Sequence, residues 1–136
     1  MMYKNILIPV LFDEGHDTQA SFVIAKTLAD KGAKFTVVHV LEIVPTYMTA
    51  GIPQDIFKNN RSTRGDALED VAKGLQGAEP VMIQGNPGRE IVDYATKNDV
   101  DCIIIASHKL GLSDIFLGST ASKVVRHAKC SVHVIR

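Results

Sequence analysis

A chain of 136 residues suits one domain, 1–136, built around one core. Its 46% hydrophobic and 22% charged residues match ordinary globular usage, which argues against a largely disordered chain. The 15 basic and 15 acidic residues cancel, leaving no excess charge to hold a nucleic-acid backbone, and no apolar run nears the roughly 20 residues of a bilayer span. Nucleic acid and membrane are therefore not expected partners.

The first predicted strand runs from Lys4 to Val10, a near-continuous apolar run of the kind covered on both faces. Pro9 sits near its end, where a missing N–H costs little. The run is too short for a secretory signal, so the expected location is the cytoplasm. Ala20, Val23, Ile24, Thr27 and Leu28 follow at the spacing of one helical face, with Gly32 suited to that helix's end. The second strand is Lys34 to Leu41. Glu42 to Asn60, with Pro45, Gly51 and Pro53, reads as a long connection. A second helix resumes near Arg61, with Leu68, Val71, Ala72 and Leu75 on one side.

The third strand is Pro80 to Gln84. In Gly85-Asn86-Pro87, Asn86 suits a helix N-cap and Pro87 the first helical position. Ile91, Val92 and Ala95 form the inner face of that helix. The fourth strand, Asp101 to Ser107, carries Cys102 in its apolar run. Cys102 and Cys130 lack ligand spacing and read as reduced structural thiols. A loop from His108 to Gly118 leads to a fourth helix near Ser119, burying Ala121, Val124, Val125 and Ala128. Ser131 to Arg136 is the last strand.

Strands alternating with helices imply an α/β fold with a mostly parallel sheet and right-handed crossovers. Ligands of such sheets bind beyond the carboxyl ends of the strands, where the strand order reverses. The two most informative loops follow the first and fourth strands. Gly118-Ser119-Thr120-Ala121-Ser122 is the sharpest local signal. A glycine there admits close approach of a phosphate, a helix start offers N–H groups, and two hydroxyls stand beside them. The plainer alternative is a turn glycine followed by an N-cap serine. Neither a P-loop nor a G-x-G-x-x-G follows the first strand.

The segment from Ile105-Ala106-Ser107-His108 through Leu117-Gly118-Ser119 to Val124 and Arg136 resembles the universal stress protein family. The opening Tyr3 to Val10, the middle His39-Val40-Leu41 and Gly85-Asn86-Pro87 resemble it too. The resemblance implies a five-stranded parallel sheet of order 3-2-1-4-5 with helices on both faces, Rossmann-like and similar to the adenine nucleotide alpha hydrolase fold. It also implies a homodimer through Ser131 to Arg136 and, for one branch, ATP binding. That branch carries glycine, two residues, glycine, nine residues, then glycine and Ser/Thr. Gly118 and Ser119 match its end, whereas Ala106 replaces the first glycine and Lys109 stands near the second. An aspartate usual in the family is Leu11 here, which implies a loss of about 1–2 kcal/mol of hydrogen bonding to nucleotide.

The expected nucleotide site is thus Pro9, Val10, Leu11, Val40, Ala106, His108, Lys109, Gly118, Ser119, Thr120 and Ala121, with adenine near Val10, Leu11 and Val40 and the phosphates over Gly118, Ser119 and Thr120. His108 could bond a phosphate or cap its loop, and Lys109 could pair with phosphate or stay solvated. His39 and His133 read as core or interface histidines, and Lys123, Arg126, His127 and Lys129 as a solvated helix face. ATP is the implied cofactor, with Mg²⁺ carried on it. No catalytic base, nucleophile or carboxylate pair stands beside the site, so any hydrolysis should be slow. A stress-response or regulatory module fits best. A protein-interaction module without nucleotide, or an enzyme using an adenylated substrate, are the alternatives.

Overall fold

The computed structural model describes residues 2–10, 18–42, 51, 54–107 and 118–136, with backbone alone for 54–61. Leu11, His108 and Lys109, and most of the 42–60 connection, lie outside the described residues.

The apolar runs become strands β1 (Tyr3–Pro9), β2 (Ala29–Leu41), β3 (Ala78–Gln84), β4 (Cys102–Ala106) and β5 (Ser131–Ile135). Helices α1 (Thr18–Leu28), α2 (Gln54–Ala72), α3 (Pro87–Lys97) and α4 (Ser119–His127) alternate with them. All pairings are parallel and the order is β3-β2-β1-β4-β5, as the resemblance implies. Ile6 lies between Phe35 on β2 and Cys102 on β4, placing β1 at the centre.

Both faces of this central strand are covered. Ile6 and Ile8 point to one side, into a cluster with Phe22, Ala25, Leu68 and Leu75. Leu7 points to the other, with Ile91, Ala95, Ala121 and Val124. The side-chain alternation of a strand makes this partition, and each fully buried aliphatic contributes about 1.5–3 kcal/mol. That is why the strands read as continuous rather than alternating apolar runs.

Several boundaries and faces differ from expectation. α1 turns Ser21, Phe22 and Ala25 inward; of the expected face Ala20, Val23, Ile24, Thr27 and Leu28, Ile24 and Leu28 pack against the core while Val23 and Thr27 are exposed. Phe22 is the larger apolar side chain, and its burial sets the helix's rotation. Gly32 lies inside β2 rather than at a helix end, where the β1–β2 register slips between the Tyr3↔Ala29 and Asn5↔Lys34 pairs. α2 begins at Gln54, earlier than Arg61. Val125 of α4 is exposed rather than buried, because Ala121 and Val124 fill the inward positions of this short helix.

β1 and β4 part at their carboxyl ends but are tied at their starts. The Asp101 carboxylate accepts the Lys4 N–H at 2.8 Å and the Asn5 N–H at 3.0 Å. The Asp101 N–H in turn donates to the Asn5 carbonyl at 2.9 Å. The pair is thereby fixed at one end while a crevice opens at the other, beside Val10 and Ala106.

Candidate functional site

Three segments shape the crevice. The first is the end of β1. Val10 donates its N–H to the Val38 carbonyl at 2.8 Å, continuing the ladder one residue past Pro9. Beneath it the buried His39 ring places Nδ1 2.9 Å from the Val10 carbonyl and Nε2 3.4 Å from the Arg64 guanidinium. A guanidinium can only donate, so Nε2 accepts and Nδ1 carries the proton that goes to Val10. His39 is thus a satisfied core histidine, as its strand position suggests, and it fixes the strand end at the site. His133, by contrast, is exposed in this chain.

The second segment is the β3–α3 turn. Gly85 donates its N–H to the Leu41 carbonyl at 2.8 Å and adopts φ 148°. A Cβ there would meet only the flexible Glu90 side chain, which can swing aside, so it is the backbone conformation that calls for glycine. Asn86 caps α3, its Oδ1 accepting the Arg89 N–H at 3.2 Å, and Pro87 opens the helix. This capping was legible from three residues because it is local.

The third segment is the start of α4. Gly118, not Ser119, is the cap residue, and it offers no side chain to the helix. Its N–H donates to the Ser107 carbonyl, so the amide at Gly118 is already used, and this bond ties the two ends of the β4–α4 connection. Its carbonyl accepts the Ser122 N–H at 2.8 Å. Ser119 is therefore free of the N-cap role. The first-turn amides from Ser119 to Ala121 have no intrahelical acceptor. Ala121 turns its methyl into the core at 2% exposure and lines neither cavity, leaving only its backbone for a ligand.

Two adjoining hollows result. One is an apolar slot of about 40 Å³ lined by Pro9, Val10, Val38, Val40, Ile91 and Ala106, with Pro87 and Thr120 at its edge. The other is a polar cavity of about 380 Å³ lined by Gly85 to Gly88, Ser119, Thr120, Lys123 and Glu42. Pro87 and Thr120 border both, so the slot and the cavity lie side by side. Of the expected site residues, Pro9, Val10, Val40, Ala106 and Thr120 meet in the slot, and Ser119 and Thr120 in the cavity. Leu11, His108 and Lys109 lie outside the described residues.

Lys123, Gly88 and Glu42 line the cavity without having been singled out as ligand residues. Lys123 carried a usable signal, since it stands four residues after Ser119 and so shares its helix face. Glu42 and Gly88 carried none, because their placement depends on sheet order. Among the described residues no group of three or more acidic, histidine or cysteine side chains gathers to hold a metal ion. Burial, then the neighbouring Cys130 and Asp101, pushes the Cys102 thiol up to about 11, and burial also raises Cys130. Both stay protonated and unreactive at neutral pH.

The family model described as the universal stress protein family matches residues 2–136. A universal stress protein of Methanothermobacter thermautotrophicus is 30% identical over 143 residues, covering 99% of this chain and 97% of its own. In structure, the chain is similar to universal stress protein UspA from Lactobacillus plantarum, with a TM-score of 0.76, 27% identity, and coverage of 100% and 99%. It is also similar to the universal stress protein from Archaeoglobus fulgidus in complex with dAMP, with a TM-score of 0.60, 22% identity and full coverage of both chains.

Proposed function

This chain belongs to the universal stress protein family, and we propose that within it the chain binds an adenine nucleotide, ATP with its Mg²⁺, as a cytoplasmic stress-response module. The observation that carries this is the adjacency of the two hollows: an apolar slot at the β1/β4 crevice shares Pro87 and Thr120 with a cavity lined by Ser119 and Thr120 at the start of α4. Base and phosphate need those two environments, side by side, at the place where parallel sheets receive ligands. The slot is shallow, so the base would lie against Val40, Ile91 and Ala106 rather than be engulfed. The first-turn amides of α4 and the Ser119 and Thr120 hydroxyls suit phosphate oxygens. Mg²⁺ would arrive on the phosphates, since no acidic cage gathers among the described residues. The dAMP complex of the Archaeoglobus fulgidus protein supports an adenine nucleotide as the ligand class. Among the described residues no helix is long and apolar enough to cross a membrane.

Isothermal titration with ATP tests the proposal. Micromolar-range binding is expected, and Gly118→Val should remove most of it by placing a branched side chain at the helix start. No heat and no competition at millimolar ATP would leave the chain a protein-interaction module without nucleotide.

A further inference from the structure

We infer that Lys123 is the phosphate-selecting cation of the cavity, the residue that makes this site discriminate phosphorylated from unphosphorylated adenosine. The inference rests on the nucleotide reading above and adds to it a binding residue outside the Gly118–Ala121 turn.

The lysine stem is seated rather than loose. Gly88, in the first turn of α3, is buried, and a Cβ on it would come within 2.6 Å of Lys123 Cδ, 2.9 Å of its Cβ and 3.0 Å of its Cγ. The missing side chain at Gly88 lets the lysine lie across α3, and this aims the ammonium into the cavity that Lys123 lines. Once there it is poorly partnered. Nζ is 3.4 Å from Asn86 Oδ1, a long contact to an oxygen already accepting the Arg89 N–H. Among the described residues its ammonium is in none of the ion pairs, which join Lys34 to Glu79, Lys73 to Asp70 and Arg89 to Asp93. It also rests against the start of α3, where the helix dipole favours anions and disfavours cations. Lys123 is exposed, so it is the seating of its stem over Gly88, not burial of its charge, that holds the ammonium where an anion in the cavity can reach it.

The cavity offers a place for that anion. The Ser119 and Thr120 hydroxyls line it from the helix that carries Lys123, one turn away. Among the described residues Glu42 is the one acidic side chain on its lining; it lies just past the end of β2 and is in no ion pair with Lys123. Its charge steers a phosphate toward the Ser119–Lys123 side. The chemistry recognised is a phosphate group, and it could come from a nucleotide or from a free polyphosphate.

The test is titration of the full chain with ATP, adenosine and inorganic tripolyphosphate, for wild type, Lys123→Met and Lys123→Arg. Methionine keeps an unbranched stem over Gly88 and removes the charge; urea midpoints verify that each variant is folded. Wild type should bind ATP more tightly than adenosine. Lys123→Met should lose about ten-fold in ATP affinity with adenosine unchanged, and Lys123→Arg should restore most of it. Added salt should erode the ATP preference of wild type more than that of Lys123→Met. Tripolyphosphate binding that depends on Lys123, without adenosine binding, would support the same cation with free polyphosphate as the ligand. ATP affinity within two-fold of wild type in folded Lys123→Met would overturn the role of Lys123 while leaving the nucleotide site intact. A wild type that binds none of the three ligands would overturn the nucleotide reading itself.

Discussion

Replacing Asp101 by alanine should loosen the sheet at the end away from the site. The carboxylate accepts two β1 amides, from Lys4 at 2.8 Å and Asn5 at 3.0 Å, across 97 and 96 residues of chain. Hydrogen bonds to a charged acceptor contribute about 1.5–3 kcal/mol each, but the Lys4 bond is exposed and the Asn5 bond only partly buried, which places the total near the low end. The Lys4 amide can turn to water, whereas the Asn5 amide would be left with little. We expect a loss of about 2 kcal/mol in urea denaturation, and a fall in Tm of roughly 6–10 °C for a chain of this size. Asp101→Asn should lose about half as much, since one carbonyl oxygen remains and the amide nitrogen faces an N–H. Protein concentration must be held fixed, because self-association would shift the midpoint. The clamp lies at the starts of β1 and β4, so nucleotide affinity in the folded variant should not change. A stability change below about 0.5 kcal/mol, or a drop in nucleotide affinity without one, would refute the assignment of this carboxylate as a strand clamp.

The buried Cys102 thiol makes stability fall at high pH. Its folded value of about 11 lies above the 9.0 of an ordinary thiol. The folded chain therefore holds the proton that the unfolded chain releases, and stability present below pH 9 is lost as pH rises toward 11, by on the order of 2 kcal/mol. Denaturation midpoints of Cys102→Ala compared with wild type between these pH values should isolate the effect, and equal slopes would refute it. We also propose that two copies pair antiparallel through β5, the open edge beyond β4. The Ile135 carbonyl accepts the Ser107 N–H, so Ile135 points its backbone at β4 and Val134, its neighbour, points outward. Val134→Pro should remove an outward donor, spare the inner ladder and convert a dimer to monomer in light scattering. A wild-type mass of one chain at tens of micromolar would count against the dimer.

What was legible in the sequence is what short stretches decide alone. Ile6-Leu7-Ile8 and Cys102 to Ile105 announce strands covered on both faces because every position in them is apolar. Asn86-Pro87 announces the start of α3 because a cap acts over three residues. The family resemblance added the strand order, which alternation alone does not supply. The tertiary structure decided what depends on distant neighbours. Whether Phe22 or Val23 faces inward depends on where the sheet lies relative to α1, and the heptad-like spacing serves either. In the sequence Asp101 is only the start of the fourth predicted strand; the pairing of β4 with β1 brings its carboxylate to the Lys4 and Asn5 amides. Lys123 looked like part of a solvated basic face. Only the packing of α4 on α3, at a glycine 35 residues earlier in the chain, turns its ammonium into the cavity. Local preference acts over a few bonds, whereas a site is made by contacts whose geometry exists only after the layers have packed.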